Sequence, residues 1–242
     1  MSNEFFKTRW QFIKSRNYRD YFKVALGELL LLVLGILIAL QIDNWNQERQ
    51  EKKIIDAYLV IICKDLQADI QSIKELMEDR MQALIYTDSI LSYFINGHIA
   101  NSELFRRGYL SLFIEKRFHP NTNAFESLKN SGFMKDLENL EIEEQLSQYY
   151  KLVENISFVE DKFVNMTQTV ENSLILKGFS SEWNQISISQ NRNKGIFILQ
   201  SKYPEFEGAF INGKVYQQEL INNYKELLLK GDETLEMINN GV

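Results

Sequence analysis

The sequence predicts an all-α protein. One N-terminal transmembrane helix continues into a long helix, and an exported antiparallel helical bundle with one irregular loop region follows. Three observations predict it. Val24 to Ile42 is a single apolar run of 19 residues. Apolar residues recur at helical spacing through most of the remaining chain. Two prolines and 11 glycines in 242 residues leave few places where a helix must stop.

The apolar run is the clearest element. At about 1.5 Å rise per residue it is about 28 Å long, close to the roughly 30 Å hydrocarbon thickness of a bilayer. Leu29 to Leu40 carries no polar residue on any face, unlike the core helix of a soluble protein. The run closes in Gln41-Ile42-Asp43-Asn44-Trp45-Asn46, which offers no small-x-small cleavage site, so an uncleaved span is expected rather than a signal peptide. Lys7, Arg9, Lys14, Arg16, Arg19 and Lys23 precede it, whereas Arg49, Lys52 and Lys53 are the only cations in the twenty residues that follow. That asymmetry places residues 1–23 in the cytoplasm, 24–42 in the inner membrane and 43–242 in the periplasm.

The flanks suit the interfaces. Trp10, Tyr21 and Trp45 are the expected interfacial anchors. Phe5, Phe6, Trp10 and Ile13 fall near one helical face, which suits a helix lying on an anionic leaflet; a basic tail that only sets topology is the alternative. Inside the span, Glu28, Gly35 and Ala39 share a face with Leu32 and Ile42. Small residues four apart let two helices approach closely, so a second copy or a partner transmembrane helix is expected there. Glu28 has two readings: an inward acid that couples ions, or a boundary residue that snorkels or pairs.

Beyond the span, Ile55, Leu59, Ile62, Leu66, Ile70, Ile73, Met77, Met81 and Leu84 form a stripe with an eleven-residue repeat. Cys63 lies beside it as a small hydrophobe, and Asn96-Gly97 is the expected helix end. A helix from Ser102 to about Lys116 follows, burying Leu104, Leu112 and Phe113 or their neighbours. His119-Pro120-Asn121 reads as a loop. Asn123-Ala124-Phe125-Glu126 reads as a capping box opening a short helix that stops at Ser131-Gly132. Asn139 is expected to cap a helix to Leu176, ended by Gly178, and the last helix is expected from about Val215 to Ile238.

Residues 180–213 show no clear helical period, with a short strand expected at Ile196 to Leu199. Their aromatics Phe197, Tyr203, Phe206 and Phe210 have two readings: a partner surface, or a cap over the end of the bundle.

The motifs together carry a resemblance. Ala25-Leu26-Gly27-Glu28, the close of the span from Gly35 to Asn46, Ala124-Phe125-Glu126-Ser127-Leu128-Lys129-Asn130-Ser131-Gly132 and Tyr149-Tyr150 resemble a family of uncharacterised bacterial single-span membrane proteins, a domain of unknown function. The resemblance implies an inner-membrane protein with a helical exported part. It supplies no activity, substrate or catalytic residue.

Chemistry is sparse. The net charge of −6 argues against nucleic acid as a partner. A single cysteine excludes an intrachain disulfide. His98 and His119 lack metal-ligand spacing, and no G-x-S-x-G, H-E-x-x-H or phosphate-binding glycine loop occurs. Glu78-Asp79 and Glu143-Glu144 read as solvated helix faces. No catalytic residue, metal or cofactor is therefore expected, and the chain is not expected to be an enzyme. Three roles follow: a membrane-anchored interaction or scaffold protein holding an envelope protein, an ion-coupled or force-transmitting subunit using Glu28, or a ligand sensor acting through a partner helix.

Overall fold

The computed structural model describes residues 18–96, 102–137, 140–188, 199 and 201–241. They form six α-helices: α1 (Tyr18–Asn96), α2 (Ser102–Phe113), α3 (Asn123–Ser131), α4 (Leu140–Leu176), α5 (Phe179–Ile188) and α6 (Glu205–Gly241). A single 3₁₀ turn, Phe133–Asp136, follows α3. The all-α expectation holds, with no strand among the described residues. The chain divides into two compact units, Met1–Ile55 and Asp56–Val242.

The first unit holds the start of α1. From Phe22 to Gln50 every side chain is exposed except that of Ala25, which is half-buried. An 18-residue window of this segment has mean hydropathy 2.4 and none of it is buried, so α1 is long and apolar enough to cross a membrane.

The second unit is a bundle of four limbs. Moving up α4 from Gln145 through Glu160 to Phe163, the contacts on α6 run downward through Lys230, Tyr224 and Tyr216. Moving up α1 from Ile70 through Thr87 and Asp88 to Phe94, the α6 partners descend likewise from Gly231 through Gln217 and Lys214 to Phe210. Thus α1 and α4 run together and α6 runs against both. The fourth limb begins with α2, which descends α1: Gly108 lies against Ile90, and Lys116 beyond the helix end pairs with Asp79. Where this limb continues, residues 114–122 have no regular secondary structure. They form an extended strap leading into α3.

The buried face of α1 follows a seven-residue repeat, not the expected eleven. Ile55, Leu59, Ile62, Leu66, Asp69, Ile73, Leu76, Arg80, Ala83, Thr87 and Ile90 advance by alternating steps of four and three, the spacing of a bundle seam. All are buried except Leu76, which is intermediate. Met81, expected in the stripe, is exposed, and Met77 and Leu84 are only half-buried. The cause is chemical: Asp69, Arg80 and Thr87 are polar at core positions, so a reading confined to apolar residues slips by one position past Ile73.

Other boundaries shift for local reasons. Residues 180–213 are largely helical where described: α5 fills the first part, and α6 begins at Glu205, ten residues before Val215. Leu199 is helical and buried, contrary to the expected strand. The helix from Ser102 ends at Phe113, short of Lys116, and buries Phe105 and Leu112 while Leu104 and Phe113 stay half-buried. Asn123 is the first residue of α3, not its cap. Thr122 takes the cap position without a side-chain hydrogen bond, and its carbonyl accepts the N–H of Glu126. Gly132 (φ 82°) and Gly178 (φ 86°) close α3 and α4 in the left-handed conformation, as expected from C-terminal glycines. The expected end at Gly97 and cap at Asn139 lie outside the described residues.

Candidate functional site

A strap with no helical or strand ladder must satisfy its backbone polar groups elsewhere, because a buried unpaired group costs about 1–3 kcal/mol. Here α1, α4 and α6 supply the partners. An Arg80 Nη donates to the Lys116 carbonyl at 2.5 Å. The Phe118 N–H lies 3.1 Å from both oxygens of Glu160. The Asn121 N–H and side-chain amide both donate to Oδ1 of Asp69, at 3.1 and 2.8 Å. The Tyr150 hydroxyl donates to the Asn121 carbonyl at 3.3 Å. The Phe118 side chain is itself buried in the core.

The strap fits its scaffold in length. Arg80 and Asp69 are eleven residues apart on α1, about 16 Å at helical rise. Lys116 and Asn121 are five apart, also about 16 Å at roughly 3.3 Å per extended residue. An extended segment therefore covers, with few residues, the stretch of α1 that a helix would need eleven to cover.

The two carboxylates are buried, Asp69 at 1% exposure and Glu160 at 2%. Their settings differ. Glu160 accepts the Tyr224 hydroxyl at 2.5 Å and feels the positive charges of Arg80 and Arg117. Arg80 also lies over the Phe163 ring, 5.2 Å from its centroid. Asp69 accepts the Tyr149 hydroxyl at 3.3 Å and has Asp65 one turn before it. Burial pushes both carboxyls above the usual carboxylate range, against the pull of their hydrogen bonds. The same burial raises the phenols of Tyr149, Tyr150 and Tyr224. Phe125 of α3 stacks on Tyr150 with centroids 3.9 Å apart, fixing where the strap ends.

Chemically the cluster holds a loop; it does not assemble a nucleophile with a base. His119, in the strap, is exposed. Burial raises the Cys63 thiol, the wrong direction for a thiolate. No group of three or more metal-binding side chains occurs among the described residues. A cleft of about 200 Å³ opens between α1 and α2 at the head of the strap, lined by Arg80, Ala83, Tyr86, Leu110 and Ile114 among others. It is smaller than the roughly 300–1,000 Å³ of ordinary ligand pockets.

The residues singled out from sequence are scattered. Glu28, Gly35 and Ala39 lie exposed on α1, as does Trp45 at 64%. Tyr21 falls within α1, with its side chain outside the described set; Trp10 and Phe197 lie outside it altogether. Tyr203, Phe206 and Phe210 do not form an exposed surface: they are at most 1% exposed. They pack with Phe105 and Phe179 over the end of the bundle, Phe206 meeting Phe179 at 4.9 Å and Phe105 at 5.4 Å between centroids. The physical reason is the earlier start of α6, which turns this face inward and makes the aromatics a cap. The residues that hold the strap, Asp69 and Arg80 on α1 and Glu160 on α4, are not among those singled out from sequence. Their signal was polar side chains recurring at core positions of otherwise apolar seams.

No protein-family model, curated protein or solved structure matches the chain.

Proposed function

We propose that this is a membrane-anchored interaction protein, with residues 1–23 in the cytoplasm and the helical bundle held in the periplasm as a scaffold for an envelope partner. The observation that supports it most is the bare apolar surface of α1. Ten large apolar residues between Leu29 and Leu40 are each at least 42% exposed. Leaving that surface in water would cost on the order of 10–20 kcal/mol, as much as the net stability of a whole domain. A bilayer removes the cost. The excess of cations before the span supports the orientation. Alkaline phosphatase fused after Val242 should be active in intact cells, and an inactive fusion overturns the orientation. Crosslinking in cells should join the bundle to an envelope protein; a bundle that captures none overturns the scaffold role.

Glu28 supports a second reading, an ion-coupled subunit, because an acid lies on the same exposed apolar segment. Glu28→Gln separates the two: loss of a multi-span partner favours coupling, and unchanged assembly removes any special role for this acid.

A further inference from the structure

We propose that the cleft at the head of the strap binds a small neutral molecule with an apolar ring and one hydrogen-bond acceptor, of the class of an aryl ketone. Beyond the clasps that hold the strap at Glu160 and Asp69, its head borders this open space. The cleft lies within the second unit, and the site is independent of which partner the bundle holds. It owes its existence to one residue. Ala83 is the smallest side chain of the α1 seam from Ile55 to Ile90, and it lines the cleft. A large apolar residue at that position would fill the space, as close packing ordinarily demands. Instead about 200 Å³ stays open between α1 and α2. An apolar cavity of about 150 Å³ holds benzene, so this one has room for a ring bearing a few further atoms.

The lining sets the chemistry. Leu110, Ile114 and Tyr86 join Ala83 along the walls. Ile114, just beyond α2, is 53% exposed, apolar surface that an occupant covers. Arg80 also lines the cleft and is itself 5% exposed. One of its Nη groups donates to the Lys116 carbonyl, but its Nε–H is buried without an acceptor among the described residues. Leaving a buried donor unpaired is costly, and the ligand's oxygen supplies the missing acceptor. Charge decides against an ionic ligand, because each cation near the cleft already has its anion. Lys116 pairs with Asp79, Arg80 faces Glu160, and Arg117 pairs with Asp161 and Glu115. Arg107, which donates to the Tyr86 hydroxyl, is held by Glu103. A carboxylate would surrender its water and meet no unpaired positive charge. A neutral carbonyl accepts the same N–H at a smaller desolvation cost.

The test uses the full chain in lipid nanodiscs, labelled with nitrogen-15 and followed by NMR. The probes are acetophenone, isopropylbenzene, which has the same shape without the oxygen, and benzoate, which has the same size with a charge. Ala83→Leu fills the cleft and controls for partition of the probes into lipid. Acetophenone should shift the backbone amides of Leu110 and Ile114 saturably and move the Arg80 Nε–H signal downfield. For so few atoms the Kd should be on the order of 0.1–1 mM. Both effects should vanish in Ala83→Leu. Isopropylbenzene should leave the Arg80 Nε–H signal in place, and benzoate should bind at least about tenfold more weakly than acetophenone. Should Ala83→Leu fail to fold, Ile114→Ala should still fold, because Ile114 is largely exposed; it should weaken acetophenone about two- to fivefold through lost apolar contact. The proposal is overturned by shifts that do not saturate or that persist in Ala83→Leu. It is equally overturned by an Arg80 Nε–H signal that stays still or responds alike to isopropylbenzene, by benzoate binding as tightly as acetophenone, or by unchanged affinity in Ile114→Ala.

Discussion

Both oxygens of the Glu160 carboxylate lie 3.1 Å from the backbone nitrogen of Phe118. This contact joins the middle of α4 to the middle of a segment that has no secondary structure of its own. It also explains why a charge sits in the core: the strap offers a backbone donor, and Arg80 and Tyr224 complete the site.

Glu160→Ala should be among the most damaging single changes. It leaves the Phe118 N–H and the Tyr224 hydroxyl without their acceptor and removes the negative charge that Arg80 faces, and removing one partner of a buried charged cluster costs about 3–5 kcal/mol. Glu160→Gln keeps an oxygen for Phe118 and should cost less. Tyr224→Phe deletes one hydrogen bond to a charged group and should cost about 1.5–3 kcal/mol. Thermal or urea unfolding of the detergent-solubilised chain checks the order, and equal losses for Gln and Ala would contradict it.

Close packing gives a second prediction. A Cβ built on Gly108 would meet Ile90 Cδ1 at 1.9 Å and Cγ1 at 3.2 Å. Ile90 is fully buried, so it has little room to yield. Gly108→Ala should cost about 1–3 kcal/mol through overpacking, despite a gain in helix propensity of about 1 kcal/mol. Ile90→Val removes the clashing Cδ1, so the double variant should recover much of the loss. A double-mutant cycle measures this coupling, and additive losses would exclude the clash as the cause.

The aromatic cap gives a third. Phe206 is fully buried and touches rings of α2 and α5 as well as Tyr203. Phe206→Ala should cost about 3–5 kcal/mol. Tyr203→Ser with Phe206→Ser should unfold the bundle end, seen as lost protection in α2 and α5. A folded double variant that only loses partner capture would restore the surface reading.

How much of this was legible in sequence depends on what each residue is doing. The seam of α4 was readable from Ile142, Leu146, Tyr149, Val153, Ile156, Val159 and Phe163, which are apolar and buried as their spacing implies, but Met166 and Val170, expected to continue it, are only half-buried, and the polar Thr167 is buried between them. Gly132 and Gly178 announced their helix ends because only glycine enters the left-handed region without strain. The seam of α1 was readable as far as Ile73 and then misread. Asp69 and Arg80 are in the core for the strap's sake, and a strap held by distant side chains has no periodic signature. His119-Pro120-Asn121 was recognisable as a loop, but its partners lie as far away in sequence as Asp69. The early start of α6 was missed because its first turns bury aromatics against α2 and α5, elements that no local pattern near Glu205 reveals.

Strap length should be tuned in one direction only. Lys116 to Asn121 must reach about 16 Å, the helical distance from Arg80 to Asp69. Deleting His119, which is exposed and makes none of the strap's clasping contacts described above, leaves four steps that reach about 14 Å at full extension. One clasp must then open. The variant should lose either the Asp69 or the Glu160 hydrogen bonds and about 2–5 kcal/mol, the cost of stranding buried polar groups. Inserting one glycine after His119 lets the strap bulge into solvent with both clasps closed, and loop entropy changes by well under about 1 kcal/mol. Hydrogen exchange at Phe118 and Asn121 distinguishes the two: protection should fall at one of them in the deletion and persist at both in the insertion. Equal tolerance of both changes would mean that the strap carries slack and that its fit to α1 is not what places it.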